Sequence, residues 1–298
     1  MRIGVNLLTH VPAGQHGPLL TSATAMAVRS LAESDIMEHD VRLVVVDNLS
    51  DHNVYREWQA ALAGSGKIEH LKFVSTGRSL SFAEARNVGY QAMHYAHSSW
   101  DLFLEFDVDN VFPGVWFAPL LKSLAAHPEA GVFSPGTIMA SHWHPTREPA
   151  IDIDYAEMHY SQVRYAVDQK AAECRRLYKG RVGSVRHPPV LYRAACLREI
   201  GLYDPNFVGG GWEDWDQVMR VEATDQWQVC TFLSSFVFHW TRWEGSILGG
   251  WQHRSSESDD VANRRYFFAK WPGAPEVYRA YLGERDRLYY LSPEEQRG

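Results

Sequence analysis

Glu105-Phe106-Asp107-Val108-Asp109 follows an apolar run and precedes Asn110 and Pro113. On an extended chain alternate side chains share a face, so Asp107 and Asp109 can point the same way. Two carboxylates held together repel unless a proton or a cation relieves them. A divalent ion bridging them to a diphosphate resolves the conflict, and hard oxygen ligands suit Mg2+ or Mn2+. Alone, an Asp-x-Asp also occurs in many solvated surface turns. The apolar strand in front of this one argues against such a turn.

A second acidic cluster, Glu213-Asp214-Trp215-Asp216, follows Gly209-Gly-Gly-Trp212. Glycines permit unusual dihedrals and close approach to a ligand. An aspartate fixed there suits a general base acting on an acceptor hydroxyl. The same acids suit the first turn of a helix, where the macrodipole favours negative charge. The two readings are compatible, because a helix start also fixes the aspartate in space. His239 ends the strand-like run Phe236-Val-Phe238. A neutral imidazole there completes a metal shell or serves as a structural histidine. Ser141-His-Trp-His144 offers two imidazoles without a third ligand and reads as a solvated loop.

These residues need elements to hold them. The first half of the chain alternates strand-like and helix-like segments. Strands are expected at 3–8, 41–46, 71–74 and 102–106, and helices at 21–34, 54–63 and 81–96. Ser81 followed three residues later by Glu84 is a capping-box pattern. Such alternation predicts an α/β fold with a mostly parallel central sheet flanked by helices. In such sheets ligands sit beyond the carboxyl ends of the strands, where Asp47 and Asp107 both fall. The second half is less regular. A strand is expected at 131–139, helical character at 155–178, a strand at 188–192, a short helix at 194–200, a helix after Gly211 and a strand at 229–239. Internal repeats and linkers are absent from the sequence, which favours one continuous domain.

Bulk properties narrow the function. The chain has 298 residues, a formal net charge of −7 and 45% hydrophobic residues, enough for a sizeable core. Without a basic run it does not read as a nucleic-acid binder. An acidic protein handling anionic nucleotides needs a cation to mediate. Three cysteines without a CxxC pair argue against a disulfide framework or structural zinc and fit a reducing cytosol. The N-terminal run has no signal-peptide layout, and the sequence has no membrane-span-length apolar stretch. Peripheral contact at the cytoplasmic face of a membrane stays compatible with it.

Taken in order, Val44-Val-Val-Asp-Asn48, Ala85-Arg-Asn-Val-Gly89, Phe106-Asp-Val-Asp109, Gly211-Trp-Glu-Asp-Trp-Asp216 and His239 resemble the GT-A glycosyltransferases, and among them the large family 2 group. The Trp-Glu-Asp segment and the later histidine are similar to the β-1,4-galactosyltransferase and polypeptide GalNAc-transferase types. Asn263-Arg-Arg-Tyr-Phe-Phe-Ala-Lys-Trp271 resembles a C-terminal element of bacterial family 2 enzymes. The resemblance implies a single GT-A catalytic domain over 1–272, with a nucleotide-binding half at 1–110 and an acceptor-binding half at 111–272. Residues 273–298 form a helical extension, with apolar residues at rough helical spacing over 276–291.

By position, the resemblance implies that Asp47 contacts the base or ribose. Arg86 and Asn87 lie near the donor, and Asp107, Val108 and Trp212 contact the nucleotide-sugar. Asp109 is the main metal ligand, joined by Asp107 and His239, with Mn2+ or Mg2+ as cofactor. Glu213 binds the acceptor, and Asp214 is the base of an inverting transfer, with Asp216 as an alternative base. The donor is a nucleoside-diphosphate sugar, UDP-linked by preference, with GDP and dTDP also fitting. The acceptor is a carbohydrate or small-molecule hydroxyl. The N-terminal loop over 9–18, with His10 and His16, matches no pattern of the family.

Eleven tryptophans is a high count for this length, and Trp212, Trp215, Trp240, Trp243 and Trp251 surround the second motif. Trp212 and Trp243 suit stacking on a sugar, the others core packing. The segment 245–260 reads as a loop that closes over a donor. A retaining transferase and a non-catalytic carbohydrate-binding protein are the competing readings. The latter accounts for the tryptophans but not for a strand-end Asp-x-Asp followed by a glycine-rich Glu-Asp. A nucleotidyltransferase would open with a Gly-rich loop carrying Arg and Lys, and the first loop here lacks one.

Overall fold

The computed structural model describes residues 1–10, 17–50, 70–140, 149–151, 153, 158–183, 189–240, 257–274 and 276–277. A largely apolar segment makes β1 (Arg2–Thr9) and a β-branched run makes β2 (Asp40–Asp47), and the shorter β3 (His70–Ser75) and β4 (Leu102–Phe106) follow. These four lie side by side in the order β3-β2-β1-β4, all parallel. Thr9 is in register with Asp47 and Leu7 with Phe106. The carboxyl ends of β1, β2 and β4 therefore form one edge, as the alternating pattern predicts.

Beyond β4 the sheet is mixed. After β5 (Asn110–Val111) and β6 (Ala130–Ala140) come the two-residue strands β7 (Ala150–Ile151) and β8 (Val182–Gly183), then β9 (Val190–Arg193) and β10 (Gln228–His239). β9 inserts antiparallel between β4 and β6. β6 and β10 run parallel, and β5 folds back antiparallel onto the end of β10. One sheet thus runs through both halves of the chain among the described residues.

Side chains alternate across it. Ile3, Val5, Leu7, Leu43, Val45, Leu104 and Phe106 face a core shared with α1 (Gly17–Ala32), α3 (Phe117–Ala126) and α4 (Tyr160–Tyr178). Val44, Val46 and Phe103 face the other way, against α2 (Phe82–Ala92), α5 (Ala194–Ile200) and α6 (Glu213–Glu222). Each large side chain taken out of water contributes about 1.5–3 kcal/mol, so two covered faces fix the register of every strand. The Ser81–Glu84 capping box forms, with Ser81 Oγ accepting from Glu84 N–H at 3.2 Å and Glu84 Oε2 from Ser81 N–H at 2.9 Å. A third, smaller cluster joins Phe207 and Met219 to Phe267 of α7 (Glu257–Lys270).

Cys174, Cys196 and Cys230 are buried and unbridged. Burial pushes the Cys174 and Cys196 thiols up to about 12. Among the described residues no helix is long and apolar enough to cross a membrane.

Candidate active site

β4 ends at Phe106, and a tight turn follows. Asn110 Oδ1 accepts from the Asp107 N–H at 2.9 Å, and Asp107 O accepts from the Asn110 N–H at 3.1 Å. β5 then pairs with the end of β10, placing His239 opposite Asn110, and the Trp240 N–H donates to Asp109 O at 3.0 Å. This local wiring brings His239 Nε2 to 3.3 Å from Asp109 Oδ1 and 4.0 Å from Asp107 Oδ2. One ligand atom from each of Asp107, Asp109 and His239 lies within 4.8 Å of the others.

The electrostatics of the cluster fit a cation. Asp109 is buried, and its Oδ1 accepts no hydrogen bond. A buried carboxylate oxygen left that way is costly unless a cation satisfies it. Burial pushes the Asp107 carboxyl above its ordinary value, and the charges of Asp109 and Asp214 add to the push. Arg86 and His239 oppose it. Two carboxylates and an imidazole form a donor set suited to a divalent ion such as Mn2+ or Mg2+.

Arg86 and Asn87 stand next to this cluster, but their side chains are committed to the fold. Arg86 is 2% exposed. Its guanidinium donates to Asn6 O at 2.9 Å, Phe106 O at 3.1 Å and Asp107 Oδ1 at 2.8 Å, and stacks over Phe82. Asn87 grips the backbone of Tyr203, donating to its carbonyl at 2.8 Å and accepting from its N–H at 3.0 Å. Both side chains thus have structural partners within the fold. Arg86 underpins Asp107, and Asn87 ties α2 to the segment leading toward α6. Gly89 belongs to the same packing. A Cβ there would lie 2.1 Å from Asn6 Oδ1, and Asn6 Nδ2 donates to Arg86 O at 2.9 Å.

The second acidic cluster separates by face. Residues two apart on a helix point in different directions. Asp214 is half-buried, and its charge reaches Asp107. Glu213 beside it is buried. Asp216 is fully buried and points elsewhere. It pairs with Arg220 at 2.8 Å and Lys270 at 2.8 Å, and accepts from the Trp271 indole N–H at 2.8 Å. Its carboxylate is thus engaged by three partners from α6 and the C-terminal part of the chain. Trp212 caps α6 in a left-handed conformation, φ 73°. Its ring packs on Phe267 and Phe268, and its indole N–H donates to Asp260 at 2.9 Å.

At the ends of β1 and β2, Asp47 is buried and its Oδ1 accepts from the Ser50 N–H at 3.1 Å. Asn48 holds the loop before α2 through both the N–H and the carbonyl of Leu80, each at 3.0 Å. Its carbonyl meets His10 Nδ1 at 3.0 Å. Glu105 was missed as an organiser. Its buried carboxylate accepts from Tyr90 and Tyr192 at 2.9 Å and from Tyr203, and its strand neighbours lead straight into the Asp-x-Asp turn. Val108 is half-buried within that turn. The expected helix at 54–63, the 141–144 segment, His16, Trp243, Trp251, most of the 245–260 loop and most of the 276–291 segment lie outside the described residues.

No protein-family model matches the chain. No curated protein sequence matches it either. Solved structures do resemble it. A structure of GalNAc-T7 with UDP, GalNAc and Mn2+ superposes with a TM-score of 0.54 at 13% identity, covering 92% of this chain and 51% of that one. S. aureus TarS 1-349 in complex with UDP gives 0.50 at 13% identity, covering 90% and 70%. Another structure of S. aureus TarS 1-349 gives 0.48 at 15% identity, covering 80% and 60%. The chain thus spans 60% and 51% of the first two of these relatives, TarS 1-349 and GalNAc-T7. The fold is the GT-A arrangement that the motif order implies.

Proposed function

We propose that this protein is a metal-dependent glycosyltransferase that moves a sugar from a nucleoside-diphosphate donor to an acceptor hydroxyl. The observation that carries the reading is the convergence of Asp107, Asp109 and His239, with a buried Asp109 oxygen that accepts no hydrogen bond, at the strand-end edge of a GT-A sheet. Asp109, Asp107 and His239 hold Mn2+ or Mg2+. When bound, the ion stabilises the charge on the departing nucleoside diphosphate as a Lewis acid. Asp47 binds the nucleoside from the end of β2, with Val108 and Trp212 lining the donor side.

Asp214 is the base of an inverting transfer. It takes the proton of the acceptor hydroxyl as the new bond forms at the sugar carbon and the bond to the diphosphate oxygen breaks. Glu213 binds the acceptor. Holding that hydroxyl in line with the leaving group supplies much of the remaining rate. A UDP-sugar is the favoured donor, since the GalNAc-T7 and TarS structures of TM-score 0.50 or above hold UDP. Within the class, the motif order favours the family 2 group with a β-1,4-galactosyltransferase-like Trp-Glu-Asp segment. Residues 1–272 form one catalytic domain, 273–298 an extension, and the enzyme works in the cytoplasm, with peripheral contact at the cytoplasmic face of a membrane.

The test is a thermal-shift screen of UDP, GDP, dTDP and CMP, with and without Mn2+, on wild type and Asp109→Ala. A ligand at 100 times its dissociation constant adds about 2.7 kcal/mol of stability. Stabilisation by one nucleotide, only with metal and only with Asp109 present, is the expected result. Absence of any metal-linked nucleotide effect sinks the reading and moves a carbohydrate-binding role forward.

A further inference from the structure

Asn263 lies near the middle of α7 and is 2% exposed. All three of its side-chain hydrogen bonds go to loop backbone. Oδ1 accepts from the Val208 N–H at 3.0 Å, and Nδ2 donates to Val208 O at 2.7 Å and Gly211 O at 3.1 Å. The gripped loop turns through three left-handed residues, Gly209 at φ 66°, Gly211 at φ 102° and Trp212 at φ 73°. For a tryptophan that conformation costs about 1–2 kcal/mol and persists only when the surroundings impose it. Phe82 N–H holds the loop from the α2 side by donating to Gly209 O at 2.7 Å. α6 begins at the next residue, Glu213, so Asp214 takes its direction from this loop.

We propose that Asn263 is a positioning residue that locks the 208–212 loop and thereby aims Asp214 at the Asp107–Asp109–His239 cluster, an inference that rests on the reading of Asp214 as the base. The body of α6 is held independently by Val218 and Val221 in the core. Asp214 lies in its first turn, two residues after the left-handed Trp212. Removing the Asn263 amide leaves the Val208 N–H, Val208 O and Gly211 O without those partners, and the left-handed Trp212 is then held only from its ring, by Phe267, Phe268 and Asp260, and through Gly209. The result is a mobile Asp214 beside an intact metal cluster.

Asn263→Ala and the near-isosteric Asn263→Asp, which keeps the acceptor and loses both donors, test this in the full chain. Hydrogen exchange by mass spectrometry over 207–217 is expected to rise about tenfold or more in Asn263→Ala and at least as much in Asn263→Asp, whose carboxylate would face the carbonyl oxygens of Val208 and Gly211, with exchange over 102–111 unchanged. Mn2+ affinity, read from the paramagnetic signal of free Mn2+, stays within about twofold. UDP release from UDP-GlcNAc and UDP-GalNAc falls about tenfold or more in kcat at unchanged KM. Unchanged exchange over 207–217, exchange raised equally across every peptide, or wild-type kcat overturns the proposal. A wild type that neither binds Mn2+ nor releases UDP overturns the transferase reading instead, while the exchange comparison still judges the brace by itself.

Discussion

The guanidinium of Arg86 lies 2.8 Å from Asp107 Oδ1 and donates at the same time to the carbonyls of Asn6 and Phe106. One side chain thereby joins β1, the end of β4 and the first aspartate of the Asp107–Asp109–His239 cluster. Asp107 needs that partner, because burial pushes its carboxyl above the ordinary value and Asp109 and Asp214 push the same way.

Arg86→Met is expected to lower stability by about 2–3 kcal/mol, below the ~3–5 seen for fully buried pairs because Asp107 keeps some exposure to solvent. It also weakens Mn2+ binding, since a less restrained and more readily protonated Asp107 is a poorer ligand. Urea unfolding with and without Mn2+ reads both effects. A wild-type midpoint would remove Arg86 from this supporting role.

Asp214 and Asp216 should separate cleanly. Asp214→Asn is expected to lower turnover by ~10²–10⁴-fold, the usual size of a general-base contribution, with nucleotide and Mn2+ binding kept. Asp216→Asn removes the counter-charge of Arg220 and one of the two carboxylates beside Lys270, and is expected to cost about 3 kcal/mol of stability. UDP release and thermal unfolding measured on both variants give the comparison. Near-normal turnover in Asp214→Asn would shift the reading toward a retaining route.

Much of this site could be read from local sequence. Strand ends, the Asp-x-Asp turn and the terminal histidine of β10 each follow from a run of apolar residues and its boundary. What could not be read is where side chains point. Ala85-Arg-Asn-Val-Gly89 marks its place beside the donor edge, yet the direction of Arg86 and Asn87 is fixed by partners at Asp107 and Tyr203. The Glu105 cage likewise draws on Tyr90, Tyr192 and Tyr203, separated from it by 15, 87 and 98 positions. The second half blurred for a related reason. β9 and the helix after it are legible as a strand over 188–192 and a helix over 194–200, but nothing local says that β9 runs antiparallel between β4 and β6.

Gly89→Ala should show how close α2 and β1 must come. The added methyl would sit 2.1 Å from Asn6 Oδ1, 2.6 Å from its Cγ and 2.8 Å from its Nδ2, inside any real carbon contact. Asn6 would have to leave Arg86 O, and α2 would have to move. A loss of about 1–3 kcal/mol is expected, the size of an overpacking penalty. Chemical denaturation measures it, and an unchanged midpoint would mean that the helix yields without cost.

Asp204 supplies a pH dependence whose sign can be worked out. Burial opposes its ionisation, but the Lys270 ammonium at 2.6 Å, the Asn206 N–H at 3.0 Å and the Tyr266 hydroxyl at 2.9 Å outweigh it and hold the carboxyl at about 2. The folded value lies below the unfolded one of 3.8, so the stabilisation is present above about pH 4 and is lost as pH falls toward 2. Its size, discounted for partial solvent screening, is about 1–2 kcal/mol. Lys270 and Tyr266 belong to α7, so the loosening should begin where α7 docks on the 204–216 region. Thermal unfolding of wild type and Asp204→Asn from pH 2 to 6 is expected to give a gap that is wide at pH 6 and closes by pH 2. A gap that stays constant across that range would mean that the charge of Asp204 does not hold α7 in place.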